Sequence, residues 1–160
     1  MVIVKLIRDT DGGIAYLRNT VRYVANARKA IAFGGFGVDD TDPEFAFRQM
    51  CIVKERYHQT SMNPLLHFVV SYDGACNNER FAVQAAPYIA EYFADEYQLM
   101  WCVHCKDKKD AHYHMHILLN SVNVVNGKLI RSGRQGMYCF AIHVKRITRM
   151  PYRVVFEPVK

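Results

Sequence analysis

Three histidines occupy every second position of the segment DAHYHMHILLN, and apolar residues follow them directly. They are His112, His114 and His116. Successive side chains of a β-strand point to opposite faces of the sheet, so a strand here would present the three imidazoles on one face and Tyr113 and Met115 on the other. Neutral imidazoles held this close together are natural ligands for a metal ion or partners for a phosphate. The spacing therefore predicts a metal site on one face of a sheet.

A fourth histidine, His104, ends the preceding apolar segment LMWCVH. A straight strand places residues two apart at about 7 Å and residues four apart at about 13 Å, so two neighbouring histidines share one ion more easily than three. The charged turn CKDKKDA would return the chain antiparallel and bring His104 beside the histidine strand. His104 is therefore the candidate for the third ligand, while His112 stays open as the residue that completes the site.

A second ligand set competes for this region, because Cys102 and Cys105 have the CxxC spacing of a zinc knuckle. His112 or His114 would complete such a structural zinc site. Residues three apart in a strand face opposite sides of the sheet, so this alternative requires a turn between the two cysteines.

Apolar periodicity predicts strands and helices that alternate along the chain. Asp42 followed by Pro43 marks one helix start, Asn78 caps another helix, and Pro87 should kink or break that second helix. The predicted strands are VIVKLI, IAFGGFGV, LLHFVVSY, LMWCVH, HYHMHILLNSV and YRVVF, and the predicted helices lie in GIAYLRNTVRYVANARK, FAFRQMCIVKERY, NERFAVQAAPYIAEYFADEY and MYCFAIHVKRITRM. The elements fit an α+β fold, a two-layer sandwich of a mainly antiparallel sheet with helices packed on one face. The open face would carry the histidines.

The charge of the chain is unevenly distributed. Residues 1–38 carry six Lys and Arg against two acidic residues (+4), residues 39–100 carry four against ten (−6), and residues 101–160 carry eleven against three (+8). Two basic ends that fold to one side would form the cationic face of a polyanion-binding protein, and in particular of a nucleic-acid-binding protein. The alternative is ordinary surface charge that keeps the protein soluble.

Length and cysteine content indicate one cytoplasmic domain over residues 1–160. The five cysteines are odd in number and scattered, which is typical of reduced thiols in a reducing compartment. The sequence contains no apolar run long enough to span a bilayer and no signal-peptide pattern at its start.

Four segments, RYVANARKA, GGFGVDDTDPEFAF, LLHFVVSYDGA and HCKDKKDAHYHMHILLNSVNVVNGK, occur in this order. They resemble the motifs of conjugative mobilisation relaxases of the MobA (MOBP) type, which belong to the HUH endonuclease superfamily. The first resembles the motif of the nucleophilic tyrosine, the second the segment after it, the third the middle motif with its histidine, and the last the metal-binding motif. The likeness covers nearly the whole chain.

The resemblance implies a relaxase domain that nicks one DNA strand at the transfer origin of a plasmid or integrative element. Tyr23 would be the nucleophile and would form a 5′-phosphotyrosyl intermediate, and His104, His114 and His116 would be the metal ligands. The implied ion is Mg²⁺ or Mn²⁺, and imidazoles also bind Zn²⁺, Ni²⁺ or Co²⁺ in vitro. A proton-transfer or ligand-orienting role would fall to His112 or to an acid of the turn, Asp107 or Asp110. Expected partners are single-stranded DNA of the transfer origin and accessory and coupling proteins.

Tyr16 lies seven residues before Tyr23 on the same predicted helix face, so either phenol could be a packing residue. Position favours Tyr23, because three basic residues that could hold a DNA backbone surround it in the sequence. These are Arg22, Arg28 and Lys29. Further predicted DNA contacts are Asn120, Lys128, Arg131, Arg134, Lys145 and Arg149.

Two alternatives to a relaxase remain at this stage. A rolling-circle replication initiator or a transposase of the same superfamily would use similar chemistry, although the tyrosine here precedes the histidines, which favours the relaxase. A non-catalytic DNA-binding module with a structural zinc is the alternative from another class.

Overall fold

The computed structural model describes residues 1–7, 13–26, 28–59, 64–105, 112–130 and 133–156. Within these ranges the strands are β1 (Val2–Ile7), β2 (Ala30–Phe36), β3 (Leu65–Tyr72), β4 (Tyr97–Cys105), β5 (Tyr113–Asn123) and β6 (Tyr152–Phe156). The α-helices are α1 (Gly13–Val24), α2 (Pro43–Arg56), α3 (Glu79–Ala90) and α4 (Arg134–Thr148). No helix in these ranges is both long and apolar enough to cross a membrane.

The six strands form one open sheet in the order β2-β4-β5-β3-β1-β6. All neighbouring strands are antiparallel except β1 and β6, which are parallel. The histidine strand β5 lies in the interior of the sheet, between β4 and β3. The α+β sandwich with a mainly antiparallel sheet is therefore confirmed.

Local sequence signals set the helix starts as predicted. The Asp42 side chain accepts a hydrogen bond from the backbone N–H of Glu44 at 2.9 Å, with Pro43 in the first turn of α2. Asn78 caps α3 in the same way, through the N–H of Phe81 at 3.1 Å. Pro87 lies inside α3, which ends three residues later and passes into a short 3₁₀ turn.

Helices cover both faces of the sheet, which corrects the expectation that they pack on one face only. The larger core joins α3 and α4 to one face, with Met115, Ile117 and Leu119 of β5 pointing into it. On the other face α1 and α2 pack on Leu118 of β5 and Met100 of β4. The helices divide between the faces because both pairs carry an apolar stripe, and each stripe must be buried against one side of the sheet.

The second helical layer covers its face of the sheet incompletely. α1 and α2 pack over β4, β5 and the start of β3. On β1 the residues that face the larger core, Val2 and Val4, are buried, whereas Ile3 and Lys5 on the opposite face are half-buried. In the described part of the chain, α1 and α2 therefore cover one side of the histidine face and leave it open across β3, β1 and β6.

Candidate active site

Three imidazoles converge on the sheet face that carries α1 and α2. His104, near the end of β4, is the cross-strand partner of His114 on β5, and His116 lies two residues further along the same strand. One ring nitrogen from each of the three histidines lies within 4.8 Å of the others. Strand alternation points Met115 and Ile117 into the larger core, as the sequence predicted. The structure thus brings His104, His114 and His116 into one potential metal-binding group.

Burial favours the uncharged form of two of these histidines, His104 and His116, by lowering the pKa of each. It lowers the pKa of His116 to about 2, and the neighbouring rings of His67, His114 and His104 act in the same direction. Burial also lowers the pKa of His104, and a hydrogen bond with the backbone of Val24 partly offsets this lowering. Neutral imidazoles retain the lone pair that a metal ligand must donate.

The donor set fits a divalent metal ion. His116 Nε2 is buried and has no hydrogen-bond partner among the described residues. A buried nitrogen without a partner costs roughly 1–3 kcal/mol, so its persistence points to a ligand that fills the position. Three neutral imidazoles suit first-row divalent ions, and they leave further coordination positions for water or a phosphate oxygen.

A fifth histidine, His67 on β3, was not among the predicted site residues. Its Nε2 lies 2.7 Å from Nδ1 of His116, and this contact is buried. If His116 keeps its Nε2 lone pair for a metal, its Nδ1 must carry the proton and donate it to His67. His67 stands in the segment LLHFVVSYDGA, so its type and place were visible, but the sequence does not give the register that joins it to His116.

We expect His67→Phe to weaken the affinity of the protein for Mn²⁺ by about 10- to 100-fold, because the ring fills the space but no longer accepts the proton that orients His116. Calorimetric titration of the metal-free protein with Mn²⁺ measures this. His143→Phe, on α4, removes a histidine from the opposite helical layer and should bind Mn²⁺ like the wild type. Equal affinities of His67→Phe and the wild type would contradict an orienting role.

Tyr23, in the last turn of α1, stands over the histidine group. Its ring centroid lies 5.6 Å from that of His104 and 5.8 Å from that of His116, edge-on to both. Tyr23 is nevertheless 42% exposed, so a substrate can reach this residue from solvent. Tyr16, in contrast, is half-buried and packs against the core beneath α1 and α2. Of the two candidate phenols, the structure brings Tyr23 to the histidines.

The basic residues around Tyr23 differ in their contacts. The ammonium of Lys29 lies 5.1 Å from the centroid of the Tyr23 ring. Arg28 is exposed in the turn that follows α1. Arg22 is exposed too, but it forms an ion pair with Glu44 at 2.9 Å and shares that carboxylate with Arg18. Arg22 must therefore leave Glu44 before it can bind a phosphate.

His112 lies beside the histidine group but outside it. Its ring stacks at a centroid distance of 6.5 Å on His114, and it is absent from the three-histidine group. Of the two residues that could complete the site, the structure therefore places His104 there. The acids of the turn, Asp107 and Asp110, lie outside the described residues.

The remaining predicted DNA contacts are not brought to the histidine group. Asn120 is fully buried, and its amide donates hydrogen bonds to Met50 O and Gln98 Oε1 at 3.2 and 3.0 Å. In this structure Asn120 satisfies buried polar groups at the far end of β5, and no surface of it is available to DNA. Lys128 follows the same end of β5, roughly 30 Å along the strand from His114 at 3.3 Å per residue.

The basic residues of α4 lie on the opposite helical layer. α4 packs on the face that holds Met115 and Ile117, so its exposed side chains are separated from the histidines by the sheet. These residues are Arg134, Lys145 and Arg149. Arg134 also stacks over the Phe156 ring at 5.2 Å. Arg131 lies outside the described residues.

The cysteine-based zinc site is not formed. Cys102 and Cys105 both belong to the continuous strand β4, so they point to opposite faces of the sheet. Cys102 is buried in the core beneath α1 and α2, and burial raises the pKa of its thiol to about 12, which disfavours the thiolate that zinc requires. This arrangement contradicts the structural-zinc alternative.

Comparison with known protein families does not depend on the geometry of the site. The family model for the relaxase MobA/VirD2-like nuclease domain matches residues 16–150, which includes Tyr23 and the three converging histidines. None of the curated proteins compared with the chain matches it.

Proposed function

Because the chain belongs to the family of MobA/VirD2-like relaxase nuclease domains, which nick DNA for mobilisation, we propose that it cuts one DNA strand at a transfer origin and holds the 5′ end on Tyr23. The reaction would be metal-dependent and reversible. The observation that carries this proposal is the exposed phenol of Tyr23 edge-on to two rings of a three-histidine group. A nucleophile and a candidate metal centre in contact are what strand cleavage by transesterification needs.

The proposed metal ligands are His104, His114 and His116. A divalent ion at this place, Mg²⁺ or Mn²⁺ in the cell, would polarise the scissile phosphate and stabilise the charge that develops during transfer. The neutral imidazoles leave the whole double charge of such an ion available to the phosphate. His67 supports the group by fixing the orientation of the His116 ring.

Tyr23 supplies the covalent chemistry. Its Oη attacks the phosphorus, the new Oη–P bond forms, and the bond from phosphorus to the 3′ oxygen breaks. The phenol proton ends on the freed 3′ hydroxyl. One phosphodiester replaces another, so the bond energy is kept and a 3′ hydroxyl can later reverse the step. The ammonium of Lys29, close to the ring, favours the negative charge that the phenol oxygen develops.

Single-stranded DNA is the proposed substrate. The exposed Arg28 and Lys29 next to Tyr23 are suited to its phosphates, with Arg22 available after it releases Glu44. His112 and Asp107 remain candidates for moving the proton of the reaction.

The direct experiment uses the intact protein with Mn²⁺ and oligonucleotides that tile the DNA beside its own gene. We expect one strand to give a protein species whose mass is increased by the 3′-side fragment of the oligonucleotide. Failure of every tiled oligonucleotide to give an adduct, with metal and with a correctly folded protein, would contradict the proposal.

Chelation separates a catalytic ion from a structural one. We expect EDTA to lower adduct formation on the order of 100-fold or more, because charge stabilisation at the phosphate is lost. The unfolding temperature should fall by only a few degrees, since the sheet and both cores persist without the ion. Circular dichroism during heating measures the second effect. Unfolding of the domain by EDTA at room temperature would instead indicate a structural metal.

A further inference from the structure

A patch beside the histidine group has no assigned role. We define the open sheet face as the seven side chains on β3, β1 and β6 that share a face with the histidines and are half-buried or exposed: Ile3, Lys5, Ile7, Val69, Ser71, Arg153 and Val155. Their neighbours along each strand point the other way, into the larger core. Among the described elements, α1 and α2 stop short of this patch.

The open sheet face continues directly from the candidate active site. Ser71 is the cross-strand partner of His114, and Val69 is the partner of His116. On the next strand, Lys5 is the partner of Val69. At about 4.8 Å per strand, Lys5 lies roughly 10 Å from His116 across the sheet. The histidines and the patch thus lie on one continuous stretch of the same sheet face.

The charged side chains among the described strand residues of the open sheet face are both basic. Lys5 and Arg153 are the only Lys, Arg, Asp or Glu residues within the six described strands. They lie on the adjacent strands β1 and β6, where Arg153 is the partner of Ile3. The side chains between these two basic residues and the histidines are apolar, except for Ser71, which carries a hydroxyl. Two cations beside apolar side chains suit a chain that carries phosphates and flat apolar bases.

We propose that the open sheet face is the track along which single-stranded DNA leaves the scissile phosphate. Lys5 and Arg153 contact successive phosphates, while Ile3, Val69 and Val155 contact sugars and bases. This inference rests on the proposed function and adds the path of the substrate. None of the basic residues singled out in the sequence lies on this track, because their selection followed runs of charge and not strand register.

Binding to fluorescent dT20 tests the track without the cognate sequence. Each lost phosphate contact on a single strand lowers the salt slope by about 0.7, so Lys5→Gln/Arg153→Gln should lower it by about 1.4 and weaken binding roughly 25-fold at 0.1 M salt. The control Arg80→Gln/Arg146→Gln removes the same charge from the exposed surfaces of α3 and α4. We expect the control to change the affinity less than about threefold. Fluorescence anisotropy at several salt concentrations gives both quantities.

A single substitution keeps the test valid if the double variant misfolds, because Arg153 is exposed. We expect Arg153→Glu to weaken dT20 binding more than Arg153→Gln does. Equal losses in the double variant and its control would overturn the track and indicate an effect of net charge only. Unchanged binding of the double variant would overturn it as well. Adduct formation by the wild type is scored separately, so failure of the nicking proposal and failure of the track are distinguishable.

Discussion

Replacing Tyr23 by phenylalanine is expected to abolish the covalent protein–DNA adduct, with a loss on the order of 1000-fold or more, because phenylalanine has no oxygen to attack phosphorus. The affinity for single-stranded DNA should change less than about threefold, since the ring and its contacts with His104 and His116 are retained. Denaturing gel electrophoresis with a labelled cognate oligonucleotide measures the adduct, and anisotropy measures the affinity.

Tyr16→Phe is the matched control, because it removes the same hydroxyl from the same helix two turns earlier. Tyr16 packs against the core, so we expect its variant to retain adduct formation. An adduct that persists in Tyr23→Phe and disappears in Tyr16→Phe would identify Tyr16 as the nucleophile and contradict the proposed role of Tyr23.

The second large effect is expected for His114→Ala, with adduct formation in Mn²⁺ reduced on the order of 100- to 1000-fold. His114 is the informative member of the group, because the Tyr23 ring contacts are with His104 and His116. Its removal therefore tests the metal site without loss of a ring that touches the nucleophile. Mn²⁺ titration should show a parallel loss of metal affinity.

His143→Ala is the control for this change, since His143 lies on α4 across the sheet. It should form the adduct at a rate within about threefold of the wild type, and both variants should unfold within a few degrees of it. Near-normal nicking by His114→Ala would contradict a catalytic metal ion at the three histidines, whatever the effect of Tyr23→Phe.

Much of the site was predictable because it depends on rules that act over a few residues. Alternation along a strand placed His114 and His116 on one face, and the expected antiparallel pairing of the two neighbouring strands put His104 opposite His114. The caps at Asp42 and Asn78 likewise follow from side chains that hydrogen-bond nearby backbone. Such features need no knowledge of the rest of the fold.

The features that the sequence did not predict depend on contacts between distant segments. An apolar stripe tells that a helix packs on a sheet, but not on which face, so the two-sided arrangement was missed. His67 joins the site through the register of β3 against β5. Asn120 resembled a surface residue because polar side chains usually are exposed, yet it is buried with partners on α2 and β4.

Lys54 shows the same difficulty in the core. It is 2% exposed and donates a hydrogen bond to Ser121 Oγ at 3.0 Å. Burial lowers the pKa of this lysine to about 8. The sequence of α2 gives no sign that Lys54 is buried, because its partner Ser121 lies on a strand 67 residues away in the chain.

The proposed sites form a continuous path across one face of the molecule. The open sheet face leads over β6, β1 and β3 to the histidines, and beyond them stand Tyr23, Arg28 and Lys29 at the end of α1. DNA on this path would pass its scissile phosphate between the phenol and the imidazoles. The basic surface of α4 lies across the sheet and is left for other contacts.

Peptide mapping of the adduct shows directly which residue carries the DNA. The wild-type protein is incubated with Mn²⁺ and its cognate single strand, digested with trypsin and nuclease, and analysed by tandem mass spectrometry. We expect a 5′-phosphorylated nucleotide on the hydroxyl of Tyr23. A nucleotide attached to Tyr16 or to any other residue would contradict this expectation.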